Sequence, residues 1–432
     1  MTTTTVTTAA PAPTRGWITD WRPDDPEFWA ATGRRVARRN LVWSIAVEHF
    51  GFSIWLLWSA VAVSLPAAGF AFTVDQLFWL VALPNLVGAV MRIPYTAAVA
   101  RFGGRNWTTV SAALLLVPLG LMVACVTNPA TPYWAFAVAA ATAGLGGGNF
   151  ASSMANISYF YPERHKGLAL GINAAGGNVG VAVVQFVVPL VVVAGAGLHL
   201  AYAPLLWLLP VLLATAGAWL CMDNLAVSRA PLRTQAAVLR DPHTWVMSFL
   251  YIGTFGSFIG YSAALPLLIK HEFPAVSGVL FAALGPLVGS AARPVGGWLS
   301  DRLGGAVVTV ATFVVMAAGV VAVLASLRFD RFAPFLAAFL LLFVASGVGN
   351  GSTYRMIPAI FRGRDGAGTR AAAVIGIAAA VGALGGFLIP RGFGISLART
   401  GSIEPALLVF LAAYAVCVAV TWSVYLRRPT AV

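Results

Sequence analysis

The sequence predicts an all-α membrane protein of twelve transmembrane helices, built as two six-helix halves related by a pseudo-twofold repeat. Three observations carry that prediction. Of 432 residues, 59% are hydrophobic and only 9% charged, with a mean hydropathy of +0.84, a balance outside the range of soluble domains. Twelve apolar runs each reach the roughly 20 residues a spanning helix needs. The chain also repeats itself: Leu83–Gly104 (LPNLVGAVMRIPYTAAVARFGG) aligns with Leu284–Gly305 (LGPLVGSAARPVGGWLSDRLGG), with Arg92 falling on Arg293 and Arg101 on Arg302 at an offset of 201 (293 minus 92).

The elements follow in order. Residues 1–40 read as a cytoplasmic tail, Thr- and Pro-rich and then basic at Arg34, Arg35, Arg38 and Arg39; no apolar run ends there in a small-residue cleavage site, so the first helix itself is expected to direct insertion. Within the tail, the acidic and aromatic stretch Trp17–Trp29 is expected to lie on the inner membrane surface. Residues 41–222 form the first half, with helices near 41–65, 75–98, 107–127, 132–156, 167–194 and 200–222. The polar stretch 223–243 is the linker. Residues 244–426 form the second half, with helices near 244–270, 275–299, 305–327, 333–358, 370–396 and 402–426, and 427–432 is a short C-terminus. Two more pairs match across the halves: GLGGGNF at Gly144 with GVGNGST at Gly347, and GINAAGGNVG at Gly171 with GIAAAVGALG at Gly376. Nearly constant separation in three places marks a true internal repeat.

Orientation follows from the basic residues, which are retained on the cytoplasmic side. With the N-terminus inside, Arg101, Arg105, Arg164, Lys166, Arg229, Arg233, Arg240, Arg302, Arg362, Arg364, Arg370, Arg427 and Arg428 fall inside, whereas the outer loops carry Lys270, Arg328, Arg331, Arg391 and Arg399. Both termini are then cytoplasmic. The net charge of +13 is this bias and does not indicate nucleic acid. Cys125, Cys221 and Cys417 lie on separate helices without metal-ligand spacing, so they read as packing residues, with no metal, disulfide or cofactor implied.

A guanidinium at the centre of a bilayer costs roughly 3 kcal/mol on insertion scales. Arg101 marks the inner end of the second helix, and nine residues at about 1.5 Å each put Arg92 about 13 Å deeper, near the middle of a hydrocarbon core about 30 Å thick. Arg293 stands at the same depth by the repeat. Glu48 is the one clear mid-helix carboxylate, and one acid cannot neutralise two arginines, so the compensating anion is expected to be the substrate. Parallel repeats of this kind place that substrate between the halves near the midplane. The glycine segments let helices approach closely and slide. Asn149, Asn156 and Asn173 are expected to form interhelical hydrogen bonds.

The run Gly297–Gly305 (GWLSDRLGG) resembles the cytoplasmic signature of the major facilitator superfamily, with a weaker copy at Ala100–Gly104 that lacks the Asp. The resemblance makes Asp301 and Arg302 a conformational latch. Gly144–Gly180 and GVGNGSTYRMIPAIF at Gly347–Phe361 resemble the two signatures of the nitrate/nitrite porter family of that superfamily, and the likeness runs from about Trp21 through Arg428. It implies transport of nitrate and nitrite across the bacterial cytoplasmic membrane. By the same resemblance the anion is held by Arg92 and Arg293, supported by Phe52, Phe150, Asn178, Tyr251 and Phe255. Nitrate is planar with three acceptor oxygens, so two guanidinium forks can grip its edges while aromatic faces cover its plane. A monomer in the lipid bilayer is expected.

Coupling rests on the first helix. Glu48 and His49 stand one turn from Phe52, where an acid and an imidazole can take up and release a proton. Nitrate/proton symport is the favoured reading, with nitrate/nitrite antiport as its alternative and a porter of another small anion as a further one. A membrane-embedded enzyme is disfavoured, because the helices hold no Ser/His/Asp set, paired carboxylates or metal spacing. The twofold repeat likewise suits alternating access better than a channel.

Overall fold

A computed structural model describes residues 17–195, 197–228, 238–276, 278–362 and 367–427. Arg229, Arg233, Arg364 and Arg428, counted above in the basic bias, lie outside the described residues. The chain runs as α1 (Pro26–Trp55, continued by Leu57–Ser64), α2 (Val74–Phe102), α3 (Gly104–Thr127), α4 (Tyr133–Phe160), α5 (Glu163–Val191), α6 (Tyr202–Cys221), α7 (Pro242–Glu272), α8 (Leu284–Leu303), α9 (Gly305–Arg328), α10 (Phe332–Phe361), α11 (Arg370–Thr400) and α12 (Glu404–Leu426). Each predicted apolar run falls on one of these. Among the described residues nine helices are long and apolar enough to cross a membrane by themselves, and the bent α1 pair makes ten. The glycine-rich α4 and the arginine-bearing α8 run alongside them, their hydropathy lowered by the residues that make them interesting.

The helix bounds differ from expectation where capping chemistry decides them. The first helix starts at Pro26 rather than near 41, because Asp25 accepts hydrogen bonds from Glu27 N and Phe28 N and Pro26 takes the first helical position. The eighth begins at Leu284 after a 3₁₀ stretch, Gly278–Ala283. The eleventh continues to Thr400, so Arg391 and Arg399 sit on helix rather than in an outer loop. Trp17–Trp29 packs against the end of the first half. Trp17–Ile18 pairs in parallel with Asn224–Leu225, Trp21 Nε1 donates to Tyr159 O at 3.0 Å, and Trp29 packs against Tyr161.

The two halves repeat each other in packing. α2 lies against α4 as α8 does against α10, and α1 against α5 as α7 does against α11. Gly103 and Gly304, equivalent by the 201 offset, both adopt φ of 88°, a left-handed conformation that glycine supplies at little cost and that turns α2 into α3 and α8 into α9. The halves meet along α2 with α11 and α5 with α8. Close approach within each half depends on absent side chains: a Cβ on Gly347 would stand 2.1 Å from Gly289 O.

Gly347→Ala should therefore lower the melting temperature of the purified protein, since over-packing a tight contact costs about 1–3 kcal/mol. Gly120→Ala, where an added Cβ meets nothing within 4 Å, should not. Equal melting temperatures for the two variants, read by scanning fluorimetry, would mean the α8–α10 contact has slack.

Candidate functional site

The site begins at the crossing of α2 and α4. A Cβ on Gly147 would lie 2.6 Å from the Trp55 ring and 2.9 Å from Gly88 Cα, so only glycine lets α4 come this near. That closeness delivers a backbone carbonyl to Arg92, whose Nε donates to Gly147 O at 3.2 Å. Its Nη1 reaches across the molecule to Ala379 O on α11 at 2.5 Å. The guanidinium is fully buried, and its Cζ lies 4.8 Å from the Phe150 ring centroid, 4.9 Å from that of Phe255 and 5.4 Å from that of Trp55. Desolvated cation–π contacts of this kind are worth about 2 kcal/mol or more. Arg92 Nη2 has no protein partner.

Arg293 enters from α8 in the other half. Half-buried, it holds its Cζ 4.9 Å from the Tyr354 ring, and its Nη1 is likewise without a partner. Between the two cations runs a chain of rings. Tyr354 lies 4.9 Å from Tyr251, Tyr251 stacks on Phe255 at 5.2 Å with 7° between planes, and Phe255 lies 6.1 Å from Phe150. Phe255 belongs to a π-helical turn, Ile252–Gly256, a distortion frequent at functional positions. The Tyr251 and Tyr354 hydroxyls are buried without a hydrogen-bond partner of normal geometry.

A cavity of about 1050 Å³ has Arg92, Arg293 and Tyr354 in its wall and runs out past Ser158 and Tyr159 to the exposed Glu163 and Arg355 at the Tyr161 end of the molecule. Both arginines thus face one space, as the repeat predicts. Neither makes an ion pair with a described carboxylate. At the opposite end the halves are in contact. Arg391 Nη1 meets Asp75 Oδ1 at 2.8 Å, its Cζ lies 4.1 Å from the Trp79 ring, and Gln185 Nε2 donates to Ser262 O.

Other predicted residues are placed less simply. Phe150 and Phe255 face Arg92 directly, whereas Phe52 packs on Trp55 and Phe150 and Tyr251 stacks on Phe255; none of the four stands in the cavity walls. Asn178 is buried on α5 with its Oδ1 unpartnered and is also absent from those walls. Glu48 lies one layer behind them. Its Oε2 accepts from the Ser153 hydroxyl and from Asn173 Nδ2 at 2.7 Å, while Oε1 has no partner. His49 does not pair with it, because successive helical residues point in different directions; His49 Nδ1 meets Gly176 O at 3.1 Å.

The predicted latch is altered in one member. Asp301 bonds Arg355 of α10, whereas Arg302 stacks on Trp298 at 4.1 Å. Asn173 forms the expected interhelical bonds, but Asn149 and Asn156 do not; they fill the space beside Gly51 and Gly104. Sequence reasoning missed Trp55, Tyr354 and Arg355. Tyr354 had a findable signal, since it follows GVGNGST directly.

Comparison with known proteins bears on what this arrangement is. A family model described as Major Facilitator Superfamily matches residues 49–390. The nitrate/nitrite transporter NarU of Escherichia coli (strain K12) is 44% identical to the chain, covering 95% of it and 96% of that protein. The probable nitrate/nitrite antiporter NarK2 of Thermus thermophilus is 38% identical, covering 95% and 97%. Among solved structures, a D-xylose-proton symporter superposes with a TM-score of 0.70 at 16% identity, covering 89% of this chain and 96% of that one, a likeness of fold alone. Two repeated halves around a shared cavity, the family match and relatives alike over nearly their whole length lead to one conclusion: the chain belongs to the nitrate/nitrite porter family of the major facilitator superfamily, a family of membrane transporters and not of enzymes.

Proposed function

We propose that this chain carries nitrate and nitrite across the bacterial cytoplasmic membrane by alternating access, with the anion held between Arg92 and Arg293. One observation carries the reading. Two arginines from opposite halves face the same cavity, each with a free guanidinium nitrogen, and no described carboxylate neutralises either. The names of the relatives, nitrate/nitrite transporter and antiporter, support the choice of anion. Arg92 spends two nitrogens on carbonyls, so it offers Nη2 alone while Arg293 supplies the open fork. The Tyr354 hydroxyl, in the cavity wall, can add a donor at the anion's edge. This replaces the symmetric grip of two full forks.

The basic bias puts the Tyr161 end, and both termini, on the cytoplasmic side, so the open cavity is the inward-facing state. The Asp75–Arg391–Trp79 contact then closes the outer end. It joins α2 of one half to α11 of the other, and must separate when the site opens outward.

For coupling, nitrate/proton symport remains the first reading. Uptake of a lone anion is opposed by about 2.3 kcal/mol per 100 mV, and Glu48 offers a buried carboxyl whose free Oε1 can hold a proton behind the cavity wall. Antiport is the second. The empty cavity holds two like charges, which favours switching only when an anion sits between them, and that is exchange.

Three outcomes test this. Arg92→Lys and Arg293→Lys should each weaken nitrate binding by about 10-fold to 100-fold, the span of 1.5–3 kcal/mol for a charged hydrogen bond, because an ammonium cannot reproduce the planar fork; calorimetry giving native affinity for either would remove the clamp. In proteoliposomes, Glu48→Gln should abolish nitrate accumulation driven by a pH gradient while sparing exchange against internal nitrite; accumulation that persists unchanged takes Glu48 out of the mechanism. Asp75→Asn should shift the resting population toward outward-open, raising thiol labelling of a cysteine placed on the outer face of α11 severalfold. Unaltered labelling would show that the pair is not part of the outer closure.

A further inference from the structure

The start of α1 carries Arg34, Arg35, Arg38 and Arg39, a spacing that stacks two pairs one turn apart on the same face. All four are exposed. Arg39 is paired, its Nη2 2.6 Å from Asp223 Oδ2, but Arg34, Arg35 and Arg38 have no ion pair among the described residues. The acids of the preceding strap are engaged elsewhere: Asp20 and Asp25 with Arg22, Asp24 with the backbone of Glu163. Glu27, two turns before Arg34, makes no ion pair with them.

With Ala30, Val42 and Trp43 the four arginines line an open groove of about 480 Å³ along one face of α1. Its walls are chemically graded along the helix. One turn deeper than Arg38 comes Val42, 54% exposed, and beside it Trp43, which packs over Gly217 of α6, where a Cβ would lie 1.9 Å from its ring. Moving down α1 into the membrane, the surface passes from three uncompensated guanidinium groups to an aromatic and an open aliphatic wall. Tryptophan at that level is typical of the headgroup boundary.

Orientation alone does not call for this cluster, since Arg101, Arg105 and Arg164 already lie at the same end. Nor does the repeat supply it. The matching approach to α7 reads Leu239, Arg240, Asp241, Pro242, His243, one arginine followed by an acid. The second half has no such basic run in its sequence, and an anion with an apolar tail complements the one in the first.

We propose that this groove binds one anionic phospholipid of the leaflet at the Tyr161 end, its phosphate held by Arg34, Arg35 and Arg38 and its acyl chain lying along Val42 and Trp43. The site is separate from the transport cavity and does not depend on the identity of the transported anion. Each basic residue near an anionic surface strengthens attachment about fivefold, so loss of three amounts to roughly 100-fold.

The test uses the full chain in neutral detergent, with native mass spectrometry counting bound phosphatidylglycerol, phosphatidylcholine or inorganic phosphate. The wild type should retain one phosphatidylglycerol in strong preference to phosphatidylcholine, and Arg34→Gln/Arg35→Gln/Arg38→Gln should lose it by roughly 100-fold. Inorganic phosphate should compete poorly. If phosphate displaces the lipid at equal concentration, the groove is a soluble-anion site and the lipid assignment is overturned. If the triple variant keeps its lipid, the arginines do not hold it and the proposal is overturned. Should the variant fail to insert, Val42→Asp, at an exposed position, decides: it should release the lipid by placing a carboxylate in the acyl groove, and undiminished retention refutes the site.

Discussion

An arginine buried at the meeting plane of two helical bundles, with no ion-paired carboxylate among the described residues, is the constraint from which the rest of this structure follows. Arg92 is tolerated there by three aromatic faces and two backbone carbonyls. A carbonyl already bonded within its helix has a second lone pair to give, but only if the neighbouring backbone comes near. The glycines at Gly88 and Gly147 meet that condition. Small-residue spacing in α2 and α4 is therefore part of the electrostatics, since it is what makes a cation at this depth affordable. Two of the three guanidinium nitrogens of Arg92 are spent on carbonyls, and Nη2 has no protein partner.

The twofold repeat sets the frame but not the details. Gly103 and Gly304 turn the chain identically, and α2–α4 and α8–α10 pack alike, yet the two arginines live in different surroundings. Arg92 is sealed in a sleeve, whereas Arg293 is half-buried beside one tyrosine. The inner-end ion pair is similarly one-sided: Asp301 finds Arg355 in the second half, and Ala100 stands where its counterpart would be. Glu48, with Ser153 and Asn173, belongs to the first half alone. On the proposed reading, the sealed cation and the candidate proton site share one bundle, and the half-buried arginine belongs to the other.

Much of the fold was legible because its signals are local or periodic. Apolar runs give the helices, and a constant offset gives the repeat and pairs Arg92 with Arg293. The charge argument that they face a common space needs only the scarcity of intramembrane acids. What escaped has a common cause. Trp55, Tyr354 and Arg355 act through partners far away in the chain, and no spacing encodes that Arg391 will meet Asp75 rather than solvent. His49 was grouped with Glu48 by adjacency, which on a helix separates side chains by about 100°. Asn149 and Asn156 were assigned hydrogen bonds from residue type, whereas glycine neighbours gave them space to fill and no acceptor.

On the proposed orientation, the outer end shows how such a machine can switch. Its closure joins an ion pair with Asp75 partly exposed, the Arg391–Trp79 ring contact and a glutamine-to-carbonyl bond to apolar packing, with Phe78 beside Gly394 and Trp79 5.8 Å from Phe387. The polar terms are individually modest, since a partly exposed ion pair is worth about 0–1 kcal/mol and a neutral hydrogen bond about 1 kcal/mol. A ligand that binds one arrangement better than the other shifts the balance between them by its differential affinity. On the proposed reading, an anion bound between Arg92 and Arg293 supplies that difference, favouring the arrangement in which both guanidinium groups reach it.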